Sequence, residues 1–275
     1  IIRVGADNED LFHDDLDAVV KAFKNMTAMI PVDRFEPAPL YQPSVYPGLS
    51  PAESFLHLGD TIELLGKDLD PGRLDRELSA RGHRALGERQ AVLCSGSNAC
   101  PAQVRAKLAD LSGDLCVPFL LVELEGAAPV FAAHASSYGV IPATLDDVGA
   151  SSRCHLAYFT ERQLTRVNAS EGPRYELCRI AGLRLDWNGI ELEDSPLAYL
   201  AKSGVLCLDG APAQLVHYDQ RSLLESLFKE LGSDSSVGEL EDFFSSPGEL
   251  YRSLGDEILR AGLWRPHRMA QTPIR

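Results

Sequence analysis

The sequence predicts an α+β fold, a small mixed sheet or barrel with helices added at its N- and C-terminal sides, on three observations. Short apolar runs rich in β-branched and aromatic residues fill the middle of the chain. Segments with helical periodicity lie before and after them. A strand, a glycine turn and a helix follow one another over 91–111. With 275 residues, 45% of them apolar, the chain is long enough to bury one large core without a metal or a disulfide framework.

The elements follow in order. Over 9–25, Leu11, Phe12, Leu16, Val19, Val20 and Phe23 share one helical face. Over 29–51, Pro31, Pro37, Pro39, Pro43, Pro47 and Pro51 exclude a regular helix or a central strand and suggest an ordered arm on the main body, with Tyr41 and Tyr46 on it. Whether that arm is a lid or a subunit clasp stays open. Further helix is expected over 53–65 and 72–81.

From Gln90 the pattern changes. Ala91, Val92, Leu93 and Cys94 form an apolar strand ending in Ser95, Gly96, Ser97 and Asn98, and Pro101 opens a helix with Val104, Leu108 and Leu111 on one face. Strands are expected over 116–124, 129–134, 138–145, 154–159 and 175–185, making five or six in all. Thr160 and Gln163 form a capping box for a short helix that leads to Glu171 and Gly172. Trp187, Asn188 and Gly189 read as a hairpin, and Asp146, Asp147, Val148 and Gly149 as a turn rather than a metal site. Helices are then expected over 220–231, 237–244 and, behind a capping box at Ser246 and Glu249, as far as Ala261. The chain thus divides into an N-terminal extension (1–89), a central body (90–215) and a C-terminal helical extension (216–275).

Composition narrows the function. A net charge of −14 without a basic, aromatic-interleaved run argues against nucleic acid. Neither a membrane span nor a secretory signal is visible, although the start at Ile1 leaves room for a short leader. Six cysteines without CxxC spacing point to reduced thiols and a cytoplasmic location, and away from zinc.

The chemistry is expected where the first central strand ends. Backbone amides of Gly96, Ser97 and Asn98 can converge on an anion, with a helix dipole behind them, or simply form a tight turn. Glu171, between a helix and a strand, can project into the open end of the sheet or lie in solvent. Ser137 and Tyr138, between two expected strands, can line the same mouth. His134 reads as a structural histidine, and Cys94 and Cys100 as buried thiols rather than nucleophiles.

From 91 to about 185 the sequence resembles the γ-glutamylcyclotransferase-like family. The resemblance rests on Ser95-Gly96-Ser97-Asn98, on Ala143-Thr144-Leu145, on the strand from His155 to Phe159, and on Glu171-Gly172 followed by Tyr175. It implies that the turn at Ser95, Gly96, Ser97 and Asn98 binds a glutamyl moiety and that Glu171 moves protons. The substrate class it implies is a small amide, with 5-oxoproline and a free amine as products and no metal or organic cofactor. An intramolecular amine needs one carboxylate as base and acid and no Ser–His or Cys–His pair. Two departures stand out: Ser95 replaces the aromatic that opens the family's turn, and about 180 flanking residues have no counterpart in the minimal fold. Amide hydrolysis, acyl transfer and a non-catalytic binding protein remain as alternatives, and pairing of protomers is left open.

Overall fold

A computed structural model describes residues 29–192, 195–232 and 250–274. The segments expected to be helical over 9–25 and 237–244, and the capping box at Ser246 and Glu249, lie outside them.

The described chain is α+β. Its strands are β1 (Met29–Pro31), β2 (Phe55–Leu58), β3 (Thr61–Leu64), β4 (Gln90–Cys94), β5 (Cys116–Leu124), β6 (Ala127–Phe131), β7 (Ala143–Asp147), β8 (Ser152–Phe159), β9 (Tyr175–Ile180), β10 (Leu185–Trp187), β11 (Ile190–Leu192), β12 (Leu197–Ala201), β13 (Val205–Leu208), β14 (Ala211–Pro212), β15 (Trp264–Arg265) and β16 (Gln271–Pro273). Its helices are α1 (Pro71–Ala80), α2 (Pro101–Lys107), α3 (Glu161–Glu171), α4 (Gln220–Glu230) and α5 (Leu250–Arg260).

Eleven strands form one sheet in the order β1-β3-β2-β5-β8-β4-β12-β9-β16, with β10 and β11 branching from β5. Only β4 and β12 pair in parallel within it. Among the described residues the sheet is open, so the barrel alternative does not form, and the sheet is about twice as wide as expected. Strands β14, β13 and β15 form a second small sheet, and β6 pairs with β7 in a third.

The sheet is wide because both of its faces are covered. Along β5, Leu120, Val122 and Leu124 face one core with α1, while Val117 and Phe119 face another with α2 and α3. A strand buried on both sides reads as an unbroken apolar run rather than an alternation. The same effect explains the failure of the helix expected over 53–65, which is the β2–β3 hairpin. Phe55 and Ile62 face one core and Leu56 the other. Glu63, which looks like a solvent-facing helix residue, is buried and accepts from Arg81 Nη1 at 2.5 Å and Nη2 at 2.8 Å. A third core joins β6, the loop before β7, α4 and α5 through Phe131, Ile141, Leu224 and Leu254.

Several local signals form as expected. Helix α3 begins with the reciprocal Thr160 and Gln163 bonds, at 3.4 and 3.0 Å. The β10–β11 hairpin turns through Asn188 and Gly189, both at positive φ. The strand expected over 138–145 is shorter: only Ala143 onward joins β7. Gly139 at φ 86° and Pro142 interrupt the ladder, and the fully buried Gln220 holds both the N–H and the C=O of Ile141, at 2.9 and 2.8 Å.

The turn expected at Asp146 and Asp147 is instead the end of β7, and Asp146 is fully buried. Its Oδ1 accepts from Arg268 N at 2.8 Å, and Arg265 Nη1 stands 2.6 Å from Oδ2, off hydrogen-bond direction, so that contact is Coulombic. His267 lies 3.7 Å from Oδ1, its ring spanning the carbonyls of Leu145 and Ala201. These partners sit about 120 residues downstream, which is why a local reading sees only a turn. Among the described residues no helix is long and apolar enough to cross a membrane.

Burial alone would raise the Asp146 carboxyl, but His267, the Arg268 amide and Arg265 hold it below the ordinary value. A folded pKa below the unfolded one gives stability that is complete above about pH 4 and is lost as pH falls through the folded value. We expect Asp146→Ala to lose about 3–5 kcal/mol in urea unfolding at pH 7, because it strands the largely covered Arg265 guanidinium and leaves the Arg268 amide without its acceptor. The gap from wild type should shrink when the same titration is run in acid.

Candidate functional site

Two helix ends create the site. Helices α2 and α3 lie on the same face of the sheet, through Val104 and Leu108 from one and Leu164 and Val167 from the other. Their last residues, Lys107 and Glu171, therefore meet. Gly172, at φ 68°, stops α3 and turns the chain into β9. The carboxylate of Glu171 stands at the end of a helix where backbone carbonyls point out, so its donors must come from elsewhere. Asn98 Nδ2 and Lys107 Nζ each donate to Glu171 Oε1 at 2.8 Å, and Lys107 Nζ also donates to Asn98 Oδ1 at 2.8 Å. The Glu171 and Lys107 side chains are 15% and 11% exposed, so water screens this pair weakly. Both bonds end on Oε1, and Oε2 has no protein donor among the described residues.

The triad lies in a cavity of about 440 Å³. The structure brings every residue of the expected site to its wall: Ser95, Gly96, Ser97, Asn98, Ser137, Tyr138 and Glu171. The details differ from expectation at the turn. Ser97 to Ala99 is a separate 3-10 turn, so the helix does not open directly on the glycine. The phenol oxygen of Tyr46 takes up the Ala143 N–H at 2.6 Å. A Cβ on Gly96 would fall within contact distance of that oxygen and 3.2 Å from the Ala143 Cβ, so the close approach requires glycine.

Tyr46 comes from the Pro-rich arm, which α2 holds in place. Gln103 Oε1 accepts from Leu40 N at 3.0 Å, and Arg105 reaches Asp33 at 2.8 Å and Glu36 at 2.7 Å. The arm is thus part of the cavity wall, and it supplies the phenol ring that Ser95 lacks.

Four phenols surround the carboxylate. Burial, and then the neighbouring Glu171 charge, pushes Tyr138 up to about 12. Burial likewise holds Tyr46, Tyr175 and Tyr199 well above the ordinary phenol value. The Tyr175 hydroxyl donates to Ala143 O at 2.7 Å, and that of Tyr199 to Asn168 Oδ1. His134, also at the wall, is lowered to about 4 by burial and by Arg174, and its Nδ1 lies 2.7 Å from Ser203 Oγ. It is a neutral, hydrogen-bonded ring at physiological pH, packed edge-on to Tyr175.

All six cysteines are free, and burial raises the Cys94 thiol far above its usual range, so a thiolate nucleophile does not form there. Among the described residues no group of three or more metal-ligating side chains assembles.

Sequence reasoning missed Lys107, Tyr46 and Arg174 at the wall. Lys107 carried a faint signal as a cation directly beside the apolar stripe of Val104 and Leu108. Tyr46 carried none that separates it from Tyr41, which is exposed.

No family model matches the chain, and no curated protein matches it. Among solved structures, the crystal structure of YkqA from Bacillus subtilis is similar at 13% identity and a TM-score of 0.32, covering 70% of this chain and 68% of that one. A likeness of that degree carries no argument about fold or activity.

Gly96→Ala should cost about 1–3 kcal/mol by overpacking against the Tyr46 oxygen and the Ala143 methyl. In a double-mutant cycle read by thermal or urea unfolding, the cost should fall in a Tyr46→Phe background, where the opposing oxygen is gone. Equal costs in both backgrounds would mean that the oxygen is not what excludes a side chain.

Proposed function

We propose that the cavity binds a γ-glutamyl or closely related amino-acyl amide and cleaves it by internal amine attack. One observation supports this reading above the others: Glu171 is largely covered at the glycine turn, with Oε1 fixed by Asn98 and Lys107 and Oε2 left without a protein donor among the described residues. A carboxylate anchored through one oxygen presents the other in a set direction, which proton transfer requires.

The chemistry balances with that one group. Oε2 takes a proton from the substrate's α-ammonium, and the freed amine attacks the γ-carbonyl carbon of the same molecule, forming the five-membered ring. Protonated Glu171 returns the proton to the departing nitrogen as its C–N bond breaks, and the carboxylate then carries the second ammonium proton from the ring nitrogen to the released amine. 5-Oxoproline and a free amine leave, and the carboxylate is restored. Because nucleophile and electrophile share one chain, folding the substrate into attack geometry supplies much of the rate. Walls of protonated phenols and a neutral His134 leave Glu171 as the base at the centre of the cavity.

Lys107 has two roles in this scheme. It balances the carboxylate charge in a poorly hydrated site, and it fixes the Asn98 amide through its oxygen. Lys107→Met should lower kcat/KM by about 10- to 100-fold, since loss of a charge-assisted bond of about 1.5–3 kcal/mol frees the carboxylate to rotate.

Mass spectrometry of purified wild type and Glu171→Gln, each given γ-glutamyl amines, γ-glutamyl amino acids and glutathione, tests the reading. Release of 5-oxoproline by wild type alone is expected. Free glutamate in place of 5-oxoproline would select hydrolysis on the same site. An inert wild type that is nevertheless stabilised by a panel member would instead select a binding protein.

A further inference from the structure

Of the four phenols around Glu171, three are committed to the protein. Tyr175 donates to Ala143 O at 2.7 Å, Tyr199 donates to Asn168 Oδ1, and the Tyr46 oxygen, set against Gly96, accepts the Ala143 N–H at 2.6 Å. Tyr138 lines the same cavity from the loop between β6 and β7, and no hydrogen bond joins its hydroxyl to Glu171 or to Tyr46. That loop is closed at its base. Ser136 N donates to Val140 O at 2.7 Å, Val140 N to Ser136 Oγ at 3.2 Å and Gly139 N to Ser136 O at 3.2 Å. Gly139, at φ 86°, makes the reversal, and the Tyr138 ring packs against the third core. The phenol is therefore held in one place over the cavity.

That place is beside the carboxylate. Burial, then the Glu171 charge, push Tyr138 up to about 12, with Ser136 beside it acting the other way, so the phenol stays protonated. A hydroxyl close enough to feel Glu171, yet not bonded to it, leaves room for a ligand atom between the two. Attack of the amine on the amide carbonyl puts negative charge on the carbonyl oxygen, which needs a donor that a carboxylate cannot be. The other donors nearby are spent. The Ala143 N–H is on Tyr46, the Ala99 N–H on Gly96 O at 3.1 Å and the Cys100 N–H on Ser97 O at 3.0 Å. Asn98 and Lys107 hold Glu171 Oε1, and Ser170 Oγ donates to Val167 O at 2.7 Å.

We propose that Tyr138 is a second catalytic residue, its hydroxyl donating a hydrogen bond to the carbonyl oxygen of the amide as that oxygen becomes an oxyanion. The phenol keeps its proton throughout, and the charge leaves the oxygen when the carbonyl reforms and the C–N bond breaks. The γ-glutamyl identity of the amide and its cyclisation rest on the function proposed above; the place for a carbonyl oxygen between Tyr138 and Glu171 rests on the cavity alone.

The experiment compares wild type and Tyr138→Phe for turnover of γ-glutamyl amides and, by isotope-edited infrared spectroscopy, for the stretching frequency of bound 5-oxoproline labelled at its lactam carbonyl. The variant should lower kcat by about 100- to 1,000-fold with KM little changed, the effect of removing one oxyanion donor. The labelled carbonyl should absorb at higher frequency in the variant than in wild type, because the bond that weakened it is gone. A merely structural role would lower kcat and leave that frequency unmoved, and this result overturns the proposal. An unchanged kcat also overturns it.

If Tyr138→Phe does not fold, 3-fluorotyrosine at position 138 keeps the hydroxyl and makes it a stronger donor that is still protonated at neutral pH. The carbonyl frequency should then fall below that of wild type, and an unchanged or higher frequency overturns the proposal. Wild type that turns over γ-glutamyl amides while Tyr138→Phe keeps its kcat sinks only the Tyr138 assignment. Wild type that binds 5-oxoproline without turnover, with the frequency rising in Tyr138→Phe, sinks the cyclisation reading and keeps Tyr138 as the carbonyl donor. Wild type that neither binds 5-oxoproline nor turns over an amide sinks both.

Discussion

A carboxylate at the C-terminal end of a helix faces carbonyl oxygens, and it can remain there, nearly buried, only if other elements bring donors to it. Glu171 has this position, and Asn98 and Lys107 are the donors. That requirement fixes how α2 and α3 lie together, because Lys107 must end its helix where Glu171 ends the other. It also fixes the glycine turn, whose Asn98 amide is held by the same lysine. The parallel β4–β12 pair and the antiparallel β12–β9 pair set the strands beneath the site in line, so the turn after β4 and the corner before β9 open on the same side of the sheet.

The arm is the second constraint. In a cavity with Ser95 at its opening, the Ala143 amide needs an acceptor, and the Tyr46 oxygen provides it. Gly96 is then required for the approach of that oxygen. Arg105 and Gln103 hold the arm against α2, so one short helix carries the base's partner at its end and the arm's clamp along its side. A change in that helix would reach both halves of the site.

Features set by neighbours in sequence were readable: the Thr160 box, the Asn188-Gly189 hairpin, the helix from Gln220, and the strand that ends at Cys94. The helix leading to Glu171 was readable from its capping box and closing glycine, while the role expected of Glu171 came from the family resemblance. The β2–β3 hairpin was not, because burial on both faces erases the two-residue period that marks a strand. Asp146 was not, because its partners Arg265, His267 and the Arg268 amide lie far along the chain and only their contacts make its burial tolerable. Tyr46 was unreadable for the same reason, and Lys107 nearly so, since each acquires meaning only through a contact made in three dimensions.

The account depends on Glu171 addressing the nitrogen that attacks, and in the product that nitrogen is the lactam N–H of 5-oxoproline. A crystal structure of the protein with 5-oxoproline therefore tests it most directly. The expected complex has the lactam in the cavity beside the glycine turn, with its nitrogen within hydrogen-bond reach of the Glu171 carboxylate. A lactam bound with that nitrogen turned away from Glu171, or bound outside the cavity, would contradict the assignment of the base and with it the proposed reaction.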